Sequence, residues 1–99
     1  MTGLRVVLAD DDVLLREGLA SLLERAGRHV LGQAGDGPAL IELVRETRPD
    51  VAVVDIRMPP TRTTEGLEAA RVIRQQHPKM EADDDHRRVL AVVSYLEAR

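Results

Sequence analysis

The chain has no cysteine, no tryptophan and no phenylalanine, and Tyr95 is the one aromatic among its 99 residues. Without cysteine there can be no disulfide framework and no thiolate metal site, which fits a reducing cytoplasm. Without bulky rings, a core must be assembled from Leu, Val, Ile and Ala, the material of parallel strands covered by helices. Long hydrophobic runs are also missing. None approaches the roughly 20 residues that a membrane helix requires, and Met1-Thr-Gly-Leu-Arg5 lacks the layout of a signal peptide. Lysine is nearly absent: Lys79 stands alone among 14 basic residues, the rest being arginine. Against 17 acidic residues these leave a net charge of −3, so no global field draws nucleic acid. The expectation is a cytoplasmic chain with no membrane contact and no direct nucleic-acid binding. Its length permits one small domain, and 43% hydrophobic residues suffice for a core.

What is present is organised around Val51-Ala-Val-Val-Asp55. A short valine-rich run bounded by Pro49-Asp50 and Pro59-Pro60 reads as a strand buried on both faces. Asp55 then stands at the strand's carboxyl end, where open α/β sheets bind ligands. A second such strand, Leu4-Arg-Val-Val-Leu-Ala9, delivers Asp10-Asp11-Asp12 in the same way.

Between and beyond these strands the pattern alternates. Asp12 can cap a helix whose apolar positions are Leu15, Leu19, Leu22 and Ala26, with Gly27 placed to end it in the left-handed conformation. His29–Ala34 is a short strand weakened by Gly32. Asp36 or Gly37 caps the next helix, Pro38 suits its first turn, and Leu40, Ile41, Leu43 and Val44 form its stripe to about Arg48. After Asp55, Thr64 is placed to cap a third helix with Leu67, Ala70 and Ile73 inward, ending near His77-Pro78. The polar stretch from Met80 to Arg88, including Asp83-Asp84-Asp85-His86, reads as a solvated loop before a last buried strand, Val89–Val93. His29, His77 and His86 are scattered at element ends and make no metal set. Strand and helix in alternation predict parallel strands joined by right-handed crossovers.

If the first and third long strands pair, Asp10, Asp11 and Asp55 become neighbours. Crowded carboxylates repel one another, and a cation among them relieves that repulsion. Hard oxygen ligands with room for water and phosphate suit Mg²⁺. An aspartate beside such a cation can attack a phosphoryl group and form an acyl phosphate.

Leu8-Ala-Asp-Asp-Asp-Val-Leu-Leu-Arg-Glu-Gly-Leu19, Val53-Val-Asp-Ile-Arg-Met-Pro59 and Gly66-Leu67 together resemble the receiver domain of two-component response regulators, most closely the LuxR-type branch. The resemblance covers residues 4 to about 77 and resumes at 89–99. It implies a flavodoxin-like, doubly wound parallel sheet. It makes Asp55 the phosphoacceptor and a sensor histidine kinase the donor. Asp10, Asp11 and Asp55 would hold Mg²⁺ with the backbone carbonyl of Arg57. Ser94 would supply the switch hydroxyl, although alignment from the C-terminal side puts Val93 there instead.

Three features depart from the family pattern. Thr61 to Thr64 lengthen the loop after Asp55, and residues 80–88 lengthen the approach to the fourth strand. The chain also stops before a fifth strand, so residues 1–99 read as a C-terminally incomplete receiver of order 2-1-3-4. It would lack an output domain and the family's phosphate-binding lysine, and its exposed fourth strand would invite self-association. Two alternatives stand beside this reading. One is a degenerate receiver acting as a non-phosphorylated interaction module or inert fragment. The other is a phosphohydrolase of the haloacid-dehalogenase type built on Asp10-x-Asp12, which leaves Asp55 without a role and has Leu14 where that family has Thr or Val.

Overall fold

The structure is a computed structural model that describes residues 3–56, 58, 60, 64–77 and 89–93, the last five by their backbone. Seven elements alternate along the chain: β1 (Arg5–Ala9), α1 (Val13–Arg25), β2 (His29–Ala34), α2 (Gly37–Thr47), β3 (Val51–Asp55), α3 (Glu65–Gln76) and β4 (Val89–Val93). All strand pairs are parallel and the sheet order is β2-β1-β3-β4, as expected for the flavodoxin-like arrangement. Arg57, Ser94 and the segment 80–88 lie outside the described residues.

The period-2 alternation of the strands divides the core in two. Val7 and Ala9 of β1 and Ala52 and Val54 of β3 face Leu40 and Val44 of α2 and Ala69, Ala70 and Ile73 of α3. The intervening residues Val6 and Leu8 face the other way, toward Ala20, Leu19 and Leu23 of α1. Helices on both faces are the doubly wound layout. Coverage is unequal, however. β1 is buried on both faces, whereas Val51 and Val53 of β3 are only half-buried. α1 packs mainly over β1 and β2, and Val51 and Val53 only partly bury themselves against the cluster of Val6, Leu8 and Ala20. The expectation that residues 51–55 are buried on both faces therefore holds for one face alone.

Local chemistry explains the element ends. Asp12 accepts the Leu15 amide and caps α1, and Asp36 accepts the Ala39 amide and caps α2. Gly27, at φ +86°, takes the left-handed position just past α1. α2 ends where expected, at Thr47 with Arg48 as its cap, but by a device that residue type does not announce. Arg48 adopts φ 47° without being glycine, and the Arg5 guanidinium donates to the carbonyls of Thr47 (2.6 Å) and Arg48 (2.8 Å). The carboxylate of Asp50 in turn accepts the Arg5 amide at 2.9 Å. These bonds satisfy helix-end carbonyls that would otherwise need water.

Two packing expectations require correction. In α1 the stripe that faces the sheet is Arg16, Leu19, Ala20 and Leu23, while Leu15, Leu22 and Ala26 are exposed. Both sets have helical spacing. The true one was hidden because an arginine occupies one of its positions and an alanine another. In α3, Ala70 and Ile73 point inward as expected, but Leu67 is 44% exposed and Gly66 and Ala69 take its place. Close approach of α3 to the end of β3 demands small residues there. Thr64 sits at the N-cap position of α3 but makes no side-chain capping bond.

Candidate functional site

Parallel pairing of Ala9 with Val54 places the residues after β1 beside the end of β3. Asp10 follows β1 directly and is held to β2 by its amide, which donates to the Ala34 carbonyl at 3.0 Å. Asp55 is the last residue of β3. Both are 2% exposed, whereas Asp11 is half-buried at the mouth. One carboxylate oxygen from each of Asp10, Asp11 and Asp55 lies within 4.8 Å of the other two. The structure thus brings together the three carboxylates singled out by their positions at strand ends. Of the remaining expected site residues, Arg57 and Ser94 lie outside the described residues.

The turn after β1 fixes how Asp10 presents itself. Its Oδ1 accepts the Asp12 amide at 2.9 Å, an Asx turn that also starts α1. Asp12, the third acid of the run, is exposed and uses its own Oδ1 on the Leu15 amide at 3.1 Å, so it serves as a cap rather than a member of the cluster. The other oxygen of Asp10, Oδ2, is buried and has no hydrogen-bond partner. A buried carboxylate oxygen in that condition is uncommon and points to an ion or ligand. Three oxygen donors of like charge, two of them in the interior, fit a hard divalent cation held between carboxylates.

Gly66 lies against the end of the strand that carries Asp55. Its amide donates to the Ile56 carbonyl at 2.6 Å, just beyond Asp55. A Cβ at this position would collide with the backbone oxygen of Asp55 and lie 2.6 Å from the Cα of Ile56. The glycine therefore lets the first turn of α3 rest directly on the strand end. Met58, fully buried, joins the core cluster that includes Ala69, Ala70 and Ile73 of α3.

Residues 6–95 match the response regulator receiver domain family. The chain belongs to that family. Among similar proteins, the transcriptional regulatory protein NarL of Mycobacterium tuberculosis is 44% identical over 69 residues, covering 69% of this chain and 29% of NarL. The transcriptional regulatory protein YxjL of Bacillus subtilis is 41% identical over 76 residues, covering 76% of this chain and 34% of YxjL. The chain thus spans about a third of the length of these relatives. The solved signal receiver domain of M. tuberculosis NarL superposes with a TM-score of 0.76 at 32% identity, covering 99% of this chain and 72% of that one. A LuxR-family response regulator from Aurantimonas sp. SI85-9A1 gives the same TM-score and identity over 97% of this chain and 61% of that one.

Sequence reasoning named the acids but passed over Arg16, although it stands within the first motif. The guanidinium donates from Nη1 to the Asp10 carbonyl (2.8 Å) and from Nε to Gln33 Oε1 (3.0 Å). The available signal was its place three residues before Leu19 and four before Ala20, on the buried face of α1.

Proposed function

We propose that this receiver is a phosphoacceptor in two-component signalling, with Asp55 as the residue that takes the phosphoryl group from a sensor histidine kinase. The observation that carries this reading is the convergence of Asp10, Asp11 and Asp55, together with a buried Asp10 Oδ2 that has no hydrogen-bond partner. Asp10, Asp11 and Asp55 would hold Mg²⁺, with the Arg57 backbone carbonyl as a further ligand by family resemblance. When bound, the cation offsets negative charge on the transferring group.

The chemistry asked of the chain itself is modest. A carboxylate oxygen of Asp55 attacks phosphorus as the bond to the donor's imidazole nitrogen breaks. The product is an acyl phosphate on Asp55, and the imidazole leaves with the bonding electron pair and acquires a proton. Burial of Asp55 at the end of a central strand holds the nucleophile in one position, which is the main service a protein renders to phosphoryl transfer. The product is a switched state of the protein rather than a released small molecule, so the chain acts as a signalling module. The dehalogenase-type alternative would give Asp55 no task and would draw on Asp12, which is occupied in capping α1.

Thermal melts in the presence and absence of Mg²⁺ test the site. Millimolar Mg²⁺ is expected to raise the melting temperature, and Asp55→Asn to weaken that rise. A folded protein whose melting temperature ignores Mg²⁺ would contradict the reading.

A further inference from the structure

We infer that Arg16 is a positioning residue of the acidic site, fixing the orientation of Asp10 before any cation arrives. The inference rests on the function proposed above and adds a residue to its machinery.

Asp10 stands where the sheet gives out. Its amide makes the last bond to β2, through the Ala34 carbonyl, and the β1–β3 pairing ends one residue earlier, at Ala9 and Val54. The Asp10 carbonyl accepts from Arg16 Nη1 instead, at 2.8 Å. With Oδ1 engaged by the Asp12 amide at 2.9 Å, three groups of Asp10 are held, and Oδ2 alone is buried without a hydrogen-bond partner. The residue is thereby preset to offer one oxygen in one direction.

The guanidinium is itself held. Nε donates to Gln33 Oε1 on β2 at 3.0 Å, so the planar fork joins β2 to the residue just after β1 and cannot swing without breaking a bond. Gly35 leaves room for it: a Cβ there would come within 3.2 Å of Nη1. Arg16 also occupies the sheet-facing stripe of α1, where its aliphatic stem replaces an apolar side chain and its charged head reaches the carboxyl edge. Groups that orient a ligand without touching the metal commonly change metal affinity by about 10–100-fold when removed.

Titration of the full chain with Mn²⁺, read by the loss of the free-ion signal in electron paramagnetic resonance, tests this directly. R16A is expected to bind Mn²⁺ about tenfold more weakly than the parent while circular dichroism reports an unchanged fold. R16K is expected to recover part of the loss, because an ammonium can reach the Asp10 carbonyl but cannot also hold Gln33 in the same plane. Q33A alters an exposed side chain and should weaken binding in the same direction, by less. The R16A Q33A double variant should match R16A, since both residues act through one guanidinium. Parent-like affinity in folded R16A would overturn the inference. Should R16A fail to fold, parent-like affinity in both R16K and Q33A would overturn it equally. A lower melting temperature with unaltered affinity would make Arg16 a packing residue only. A parent chain that binds no Mn²⁺ would instead remove the proposed site, and this inference with it.

Discussion

Gly66 rests against the backbone of Asp55 so closely that even a methyl group cannot be placed between them. The same residue donates its amide to the Ile56 carbonyl at 2.6 Å. Helix α3 is therefore seated on the end of the strand that carries the proposed nucleophile. Gly66→Ala must push α3 away or displace Asp55. We expect a loss of about 1–3 kcal/mol, the usual range for overpacking a tight contact. Urea melts read the stability loss, and the Mg²⁺-dependent rise in melting temperature should shrink in parallel. Wild-type values for both would mean that the turn after Asp55 absorbs the methyl freely.

The three consecutive aspartates after β1 divide into two roles. Asp12 accepts the Leu15 amide at 3.1 Å, whereas Asp10 and Asp11 belong to the cluster. Asp12→Ala should cost about 1 kcal/mol through loss of the cap. Asp12→Asn keeps an accepting oxygen and should be nearly neutral, with the response to Mg²⁺ intact. Asp11→Asn should do the reverse, leaving the α1 cap intact while the Mg²⁺ response falls. An Asp12→Asn protein that no longer responds to Mg²⁺ would place Asp12 among the ligands.

How far these roles can be read from sequence depends on whether they are local. Asp12, Asp36 and Gly27 act on amides or carbonyls a few residues away, and their capping roles are legible from residue type and position. The convergence of Asp10 with Asp55 is legible too, because two apolar strands ending in acids leave few ways to pair. The register of α1 was not. A pattern reading favours Leu15, Leu19 and Leu22, whereas the sheet selects Arg16, Leu19, Ala20 and Leu23. A buried-face arginine is invisible to hydrophobic periodicity, although its stem can cover apolar surface. Arg5 escaped for a different reason: its acceptors, the Thr47 and Arg48 carbonyls, lie more than forty residues along the chain. Leu67 misled because proximity of α3 to β3 rewards small size over hydrophobicity at that point.

The α1 side of the described sheet is unevenly covered, and this bears on behaviour in solution. Val51 and Val53 are half-buried, and Leu14, Leu15 and Leu22 of α1 are 84%, 39% and 58% exposed. β4 is the outer strand beside β3 in the described sheet. Unpaired outer strands and contiguous apolar surface favour association. The 99-residue chain, purified by itself, is expected to self-associate and to bind ANS. Leu22→Glu should shift it toward monomer in light scattering. A dilute monomer that melts cooperatively and leaves ANS dark would contradict this expectation.

The central claim, that Asp55 is a phosphoacceptor served by Asp10 and Asp11, is tested most directly by intact mass after incubation with acetyl phosphate and Mg²⁺. The chain should gain the mass of a single phosphoryl group, stable in acid and labile in base, and peptide mapping should locate it at Asp55. Asp55→Asn should abolish the gain, and omission of Mg²⁺ should suppress it. A phosphoryl group that persists in the Asp55→Asn protein, or none at all on a folded parent under prolonged incubation, would contradict the account.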